Sequence, residues 1–247
     1  MSAVVPMESS PEVFNHVAHL LGLESSHGFV DIYSVDDPDL LAMVPRPVSA
    51  VILLFPITDT VGDTGADADA SAATGAQTVT GSGGDVDVVW FKQTIKNACG
   101  LYAVLHSLSN NSELLSGDSV MQQFLHRGAT QRPRIYNDAE TDQFVTEVSQ
   151  RYKETFTMGG TQYPADVDPS SIDVNLHFIT FVVRDSHVFQ LDGRMTGPID
   201  LGAVDTSATD VLDQPLVKAK IRELMDRASG STDSLNFSML GLTDTWD

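Results

Sequence analysis

The segment QTIKNACG, residues 93–100, decides how the chain folds around its one cysteine, because it joins turn-forming residues to the start of a helix. Apolar residues follow at helical spacing and predict a helix from about residue 97 to residue 109. These residues are Leu101, Val104, Leu105 and Leu108. The thiol of Cys99 then lies in the first turn, where unpaired N–H groups and the helix dipole favour the reactive thiolate. Alternatively, a lone cysteine can be a small buried hydrophobic residue without a reactive role. A nearby base would favour the nucleophile over that alternative.

The sequence on both sides of this segment indicates helices first and strands later. Apolar residues at helical spacing predict helices at 10–22, 37–42, 119–127, 138–154 and 213–228. Apolar runs predict strands at 29–33, 48–55, 174–183, 188–191 and 235–242. This order, with short connections, predicts a single α+β domain over residues 1–247 with a mostly antiparallel central sheet.

Two segments are predicted to be exposed loops. Residues 59–87 are rich in Gly, Ala, Asp, Thr and Ser and contain no aromatic residue. Such a segment cannot bury enough surface to offset the entropy of ordering it, so we expect a flexible, low-complexity loop. Residues 156–171 are polar and contain Gly and Pro, which is typical of a second surface loop.

The composition excludes several classes of protein. A hydrophobic fraction of 42% and a charged fraction of 19% are typical of a globular protein. The net charge is −20 with only 14 Lys and Arg, so nucleic acid is a poor partner and a basic protein a better one. No apolar run approaches the roughly 18 residues of a membrane span. No secretory signal is visible and one cysteine cannot form an intrachain disulfide, which favours the cytoplasm, with the nucleus as a second compartment.

Seven histidines compete to be the base for Cys99. His106 lies seven residues further along the predicted helix, about 10 Å from the thiol, which is too far for direct proton transfer. A hairpin centred between residues 184 and 185 would instead place His177 directly opposite Asp192, with Cβ atoms about 4.5–5.5 Å apart. A carboxylate at that distance can hold an imidazole by one ring nitrogen. His187 would fall on the opposite face of that hairpin. The remaining histidines, His16, His19, His27 and His126, have no orienting partner that the sequence reveals.

Each of these residues also has a structural alternative. Asp192 could be a turn residue before Gly193, or form an ion pair with Arg194. Gln93, six residues before Cys99, could point its NH2 at a developing oxyanion, or could be an exposed glutamine. No Cys/His cluster has metal-ligand spacing, and the glycines at 83 and 84 lack the Lys-Ser/Thr of a phosphate loop. We therefore expect neither a metal nor another cofactor.

The chain resembles the ubiquitin C-terminal hydrolases, a papain-like family of cysteine peptidases that includes the small yeast and human enzymes. The resemblance is carried by QTIKNACG at 93–100, NLHFI at 175–179, LDGR at 191–194, MVPRPV at 43–48, LLFPIT at 53–58, PEV at 11–13 and FVD at 29–31. These segments cover nearly the whole chain. Residues 59–87 are not part of the shared pattern.

The resemblance implies a single-domain α-β-α sandwich with a knotted backbone. It implies that Cys99 is the nucleophile, His177 its base and Asp192 the residue that orients the base. Gln93 and the backbone N–H of Cys99 would form the oxyanion hole. Residues 156–171 would belong to a crossover loop over the active site, which limits leaving groups to small or unfolded adducts.

The implied substrate is ubiquitin carrying a small adduct or short peptide on its C-terminal glycine. Asp31 would pair with an arginine of ubiquitin's basic tail, in agreement with the acidity of the chain. Three alternatives stay open: a ubiquitin-binding module with weak catalysis, a hydrolase that prefers NEDD8 or another ubiquitin-like protein, and an unrelated papain-like protease or glutamine amidase. Nothing in the sequence suggests a dimerisation stripe, so we expect a monomer.

Overall fold

The computed structural model describes residues 2–57, 77–78, 86–127, 132–151, 163, 166–228 and 236–245. In these residues the helices are α1 Pro11–Leu21, α2 Pro38–Leu41, α3 Cys99–Ser109, α4 Val120–Arg127, α5 Ala139–Arg151 and α6 Pro215–Ala228. The strands are β1 His27–Asp31, β2 Val48–Pro56, β3 Gln77–Thr78, β4 Val89–Phe91, β5 Arg134–Tyr136, β6 Leu176–Arg184, β7 His187–Leu191, β8 Ile199–Ala203 and β9 Ser238–Asp244. Single-turn 3-10 helices occupy Ser112–Leu114 and Pro169–Ser171.

One seven-stranded sheet organises the protein, in the order β1-β9-β2-β6-β7-β8-β3. All neighbouring strands in it are antiparallel. Strands β4 and β5 form a separate parallel pair beside it. The predicted α+β fold with a mostly antiparallel central sheet is therefore confirmed.

Helices cover both faces of the sheet, which gives the predicted α-β-α layers. Alternate residues of β2 and β6 belong to two different apolar cores, as the two-residue repeat of a strand requires. The first core packs the sheet against α1, α3, α4 and α5. The second packs it against α6. Helix α3 is buried along its whole length, so its first residue is fixed in position by packing on several sides.

The start of α1 follows the local signals in the sequence. The Ser10 hydroxyl accepts a hydrogen bond from the Val13 amide at 3.3 Å, and Pro11 occupies the first turn. Gly22 ends the helix in the left-handed conformation, with φ of 115°, and its amide bonds back to the last turn. Capping residues therefore predicted both ends of this helix.

The β6–β7 hairpin differs from the prediction in its register. Its two-residue turn is Asp185-Ser186, with positive φ at both residues (46° and 64°), as a type I′ turn requires. Thr180 consequently pairs with Leu191, and the predicted direct opposition of His177 and Asp192 is wrong. The shift is two residues, which equals the repeat of a strand. His177 and Asp192 therefore stay on one face as diagonal neighbours.

Three short strands and part of a loop were not predicted correctly. Strands β4 and β5 have three residues each, too few for an apolar pattern to be distinguished from a loop, and β8 contains Asp200 and Gly202, which interrupt its apolar pattern. The prediction of a loop throughout 59–87 is wrong at Gln77–Thr78, which pair with β8. Residues 59–76 and 79–85 of that predicted loop lie outside the described residues. So do most of 156–171, of which residues 163 and 166–171 are described.

No helix within the described parts of the chain is both long and apolar enough to cross a membrane.

Candidate active site

Three elements bring a thiol, an imidazole and a carboxylate to one end of the sheet. Cys99 is the first residue of α3, as predicted, and is buried with 8% of its surface exposed. His177 is the second residue of β6, and Asp192 follows the last residue of β7. The two strands are neighbours in the sheet, and α3 packs on β6, where the Thr180 hydroxyl donates to the Ala103 carbonyl at 3.2 Å. Residues that are far apart in sequence therefore converge.

The imidazole of His177 is held by the carboxylate of Asp192. Their Nε2 and Oδ1 atoms lie 2.8 Å apart, and both side chains are buried. Since an ionised carboxylate only accepts, Nε2 carries the hydrogen and donates it. The other ring nitrogen, Nδ1, is also buried and has no hydrogen-bond partner among the described residues. That nitrogen is therefore the one available to exchange a proton with the thiol.

The thiol and the imidazole shift each other's pKa in the directions that form an ion pair. Burial alone would raise the pKa of Cys99, but the His177 ring, the Phe178 backbone amide and the charge of Arg194 lower it below its ordinary value. Burial would likewise lower the pKa of His177, but the Asp192 carboxylate and the Cys99 sulfur raise it to about 9. The favoured state is a thiolate beside an imidazolium, which is the reactive form of a cysteine nucleophile.

Asp192 stays ionised because its surroundings outweigh its burial. Burial alone would raise its pKa, yet the charge and hydrogen bond of His177 and the Arg194 amide lower it. The Arg194 N–H donates to Asp192 Oδ1 at 2.8 Å, and the Trp90 indole N–H donates to the Asp192 carbonyl oxygen at 2.9 Å. Asp192 is thus both a turn residue and the partner of His177. The two interpretations of its sequence position are compatible.

Gln93 lies between β4 and α3, in the loop that leads to the nucleophile. Its side-chain NH2 donates to the Ile95 carbonyl at 3.2 Å, which is a long hydrogen bond. Its Oε1 is buried and lacks a hydrogen-bond partner within the described residues. A half-buried carboxamide that is so weakly held differs from an exposed surface glutamine, and a small rotation would release its NH2 to another acceptor.

A cavity of about 400 Å³ opens beside the thiol. It runs across the ends of β9, β2 and β6, and its walls include Leu54, Leu176, Phe178, Ser238 and Cys99 itself. Its largely apolar walls and its contact with Cys99 suit a peptide whose end must reach the sulfur.

Asp31 stands apart from the other predicted site residues. It is the last residue of β1 and pairs with Leu240 of β9. Leu240 also pairs with Ile52 of β2, and Ile52 pairs with Thr180 of β6, which is three residues from His177. Ideal strand spacings put Asp31 roughly 17 Å from His177, a distance that about five residues of extended peptide cover. Its half-buried carboxylate accepts a hydrogen bond from the Tyr33 hydroxyl at 3.4 Å.

His106 is a structural histidine, in agreement with its predicted distance from the thiol. It is buried with 1% of its surface exposed, and its Nε2 accepts a hydrogen bond from the Phe91 amide at 3.0 Å. Because Nε2 accepts there, the ring must be neutral. Burial lowers its pKa from 6.5 to about 4, although Asp192 opposes that shift.

The buried His106 is expected to make the protein less stable in mild acid. Between its folded pKa of about 4 and the unfolded value of 6.5, the unfolded chain binds the extra proton, so stability falls as pH falls. From pH 7 to pH 5 the expected loss is about 2 kcal/mol. Urea unfolding at both pH values should reveal it, and His106→Gln, which retains an acceptor, should have a smaller pH slope. An unchanged slope in that variant would contradict this role.

Several residues around the site carry no sequence signal of their function. They hold the segments that carry Gln93 or Asp192 by hydrogen bonds or close packing between distant parts of the chain. These residues are Trp90, Lys92, His106 and Gly193. Composition and periodicity do not reveal such contacts.

Within the described residues, no group of three or more His, Cys, Asp or Glu side chains could hold a metal ion.

Comparison with known proteins gives the family. A family model described as "Ubiquitin carboxyl-terminal hydrolase, family 1" matches residues 4–226. The Saccharomyces cerevisiae protein "Ubiquitin carboxyl-terminal hydrolase YUH1" is 44% identical over 248 residues, 99% of this chain and 98% of the relative. "Ubiquitin carboxyl-terminal hydrolase isozyme L1" of Equus caballus is 31% identical over 239 residues, 96% of each protein.

The fold also has a relative among solved structures. The Trichinella spiralis UCH37 catalytic domain, crystallised with ubiquitin vinyl methyl ester, matches with a TM-score of 0.67 and 19% sequence identity. The match covers 100% of this chain and 97% of that chain. At this identity the likeness supports the papain-like α+β fold alone. Taken with the family model and the close similarity in sequence, it completes the assignment: the chain belongs to family 1 of the ubiquitin carboxyl-terminal hydrolases, which are cysteine peptidases.

Proposed function

We propose that the protein hydrolyses bonds to the C-terminal glycine of ubiquitin, releasing small adducts or short peptide extensions. The observation that carries this proposal is the buried Cys99–His177–Asp192 arrangement beside a cavity that reaches the sulfur. The alternative of a ubiquitin-binding module is less well supported. A pure binder has no use for a buried carboxylate that orients an imidazole.

The first half of the proposed reaction forms a thioester. The Cys99 thiolate attacks the carbonyl carbon of the terminal glycine, and the carbonyl oxygen becomes an oxyanion. The Gln93 NH2 and the backbone N–H of Cys99 stabilise that oxyanion by donating hydrogen bonds to it. The His177 imidazolium then gives its proton to the leaving amine or thiol, and the carbon–leaving-group bond breaks.

The second half returns the enzyme. Neutral His177 takes a proton from water, which attacks the thioester carbon. The same oxyanion donors act again, and the thiolate leaves as ubiquitin's carboxylate forms. Asp192 accepts the Nε2–H bond of His177 throughout, which keeps Nδ1 directed at the reacting atoms and stabilises the imidazolium.

Recognition of the tail is proposed to use the cavity and Asp31. An extended C-terminal tail lying in the cavity would place its last carbonyl at Cys99. An arginine about five residues earlier would then come within reach of the half-buried Asp31 carboxylate. The protein's charge of −20 would speed its encounter with a basic tail, and this acceleration should weaken with salt.

A covalent probe tests the proposal directly. Ubiquitin carrying a C-terminal vinyl methyl ester should form a one-to-one adduct, and peptide mass mapping should place it on Cys99. The carbonyl-adjacent alkene occupies the position of the scissile bond, so only a thiolate at the end of the tail-binding cavity can react quickly. An adduct on another residue, or no adduct, would contradict the proposal.

The same probe decides between ubiquitin and NEDD8. We expect ubiquitin to react at least about tenfold faster than NEDD8 carrying the same ester at matched concentration, with Asp31→Asn slowing the ubiquitin reaction by a few-fold. Equal rates would indicate dual specificity, and a faster NEDD8 reaction would make NEDD8 the substrate.

Sedimentation of the free protein tests the further proposal that it acts as a monomer, and imaging tests its location in the cytoplasm or nucleus.

A further inference from the structure

Two loops at the site are joined by a set of hydrogen bonds that the reaction scheme does not use. One, called the 90–93 loop, comprises the last two residues of β4 together with Lys92 and Gln93, and the other, residues 192–195, begins with Asp192. The Trp90 indole donates to the Asp192 carbonyl at 2.9 Å, and the Gln93 amide donates to the Gly193 carbonyl at 2.8 Å. The Lys92 ammonium donates to the carbonyl oxygens of Arg194 and Met195, at 3.1 and 2.7 Å.

Gly193 lies so close to Gln93 that a side chain at position 193 would not fit. A Cβ built there would lie 2.8 Å from the Gln93 Cβ, 3.1 Å from its amide nitrogen and 3.3 Å from the Phe91 carbonyl oxygen. The first distance is well inside van der Waals contact between carbon atoms. The atom that would have to move is Cβ of Gln93. It is attached directly to the backbone, so it cannot swing aside as the end of a flexible side chain could.

From this contact we propose that Gly193 is a positioning residue for Gln93. The bare glycine lets the 192–195 turn close against the 90–93 loop, and the backbone contact fixes where the Gln93 carboxamide begins. The inference rests on the oxyanion role proposed above for Gln93. It assigns no contact between Gly193 and the substrate.

The expected signature is a loss of kcat without a loss of binding. An oxyanion donor acts on the transition state, and displacing it by less than an ångström weakens that interaction alone. Gly193→Ala should lower kcat about tenfold while KM stays within about twofold. Gly117→Ala is the matched control, because Gly117 has open space around it, and it should retain full activity.

Alkylation of Cys99 by iodoacetamide separates this role from damage to Asp192. Alkylation needs the thiolate but no oxyanion hole, so Gly193→Ala should leave its rate and pH profile within about twofold of wild type. If Gly193 acted instead by holding Asp192, the His177–Cys99 pair would be disturbed and alkylation at neutral pH would slow with kcat. That outcome would overturn the inference.

A double-mutant cycle gives the decisive test. Gln93→Gly removes both the donor and the Cβ that Gly193→Ala would strike, and should cost about 100-fold in kcat. In that background the additional Gly193→Ala change should cost less than about twofold. A full tenfold cost there would overturn the inference while leaving the proposed function intact. No cost from Gln93→Gly alone would remove Gln93 from the reaction, and the inference with it.

Lys92→Met provides a second variant if Gly193→Ala does not fold. Methionine keeps an apolar stem near the Trp90 ring and removes the donor to the Arg194 and Met195 carbonyls, which loosens the turn against Gln93. A fall of about threefold in kcat that disappears in the Gln93→Gly background would support the inference. A fall of the same size in both backgrounds would contradict it.

Discussion

Replacing Cys99 with alanine is expected to abolish hydrolysis of ubiquitin adducts, lowering kcat/KM by at least about 10⁴-fold. In the proposed reaction the sulfur is the atom that forms the thioester. Turnover of ubiquitin with a C-terminal fluorogenic amide measures the loss. Because the chain has one cysteine, the variant has no thiol, and residual activity could not come from another one.

Binding separates loss of chemistry from loss of structure. The affinity of Cys99→Ala for unmodified ubiquitin should stay within about tenfold of wild type, since the cavity walls and Asp31 remain. The free energy of unfolding should change little, because alanine fits the first turn of α3 and loses only the sulfur atom. Substantial hydrolysis by a folded Cys99→Ala protein would refute the assignment of the nucleophile.

Replacing His177 with alanine is expected to produce the second largest effect, a fall of about 10³-fold or more in kcat/KM. The variant loses the proton acceptor that forms the thiolate and the donor that protonates the leaving group. His187→Ala is a matched control, because His187 also pairs with a carboxylate, Asp200, at 2.8 Å, on the far end of the same hairpin. That control should retain activity within about twofold.

The pH dependence of Cys99 alkylation tests the reason for this effect. In the wild type, the lowered pKa of Cys99 increases the fraction of thiolate at neutral pH, and the imidazolium persists up to about pH 9. Hydrolysis should therefore rise as the thiol ionises and fall again near pH 9, as a property of the pair. In His177→Ala the thiol loses its cation and alkylation at pH 7 should slow by roughly 30–100-fold. An unchanged profile would show that another group forms the thiolate.

Both predictions depend on one geometric point, the distance between the Cys99 sulfur and Nδ1 of His177. Nδ1 makes no hydrogen bond with the described residues, yet the two groups shift each other's pKa. Hydrogen bonds between catalytic groups are commonly loose before substrate binds and tighten in the reacting complex. Bound ubiquitin is therefore expected to shorten this contact, which a structure of the non-covalent complex with ubiquitin would measure.

The β6–β7 hairpin illustrates how far sequence reasoning reaches. The alternation of apolar residues predicted two neighbouring strands, and the hairpin centred between residues 184 and 185 placed His177 and Asp192 on the same face. The turn was placed one residue too early, which changes every pairing partner by two residues, because Asp185-Ser186 lacks the Asn-Gly pair that marks a type I′ turn. The site survived this error because a shift of two residues preserves the face.

Local signals were sufficient wherever neighbours along the chain make the structure. Ser10, Pro11 and Gly22 marked the ends of α1, and the spacing of apolar residues after Cys99 placed the thiol in the first turn of α3. The motifs at 93–100, 175–179 and 191–194 carried the family resemblance, which the family model and the 44% identical relative confirm. The sequence by itself therefore determined the fold class, the family and the candidate nucleophile.

Only the tertiary structure decided what surrounds those residues. Gly193 contacts Gln93, the Trp90 indole donates to Asp192, and the buried, neutral His106 accepts from the Phe91 amide. The partners in these contacts are 15 to 102 residues apart along the chain. Periodicity and capping depend on interactions within a few residues. Close approach, desolvation and pKa shifts depend on which distant groups share one low-dielectric space, and that is fixed only when the sheet and α3 have packed together.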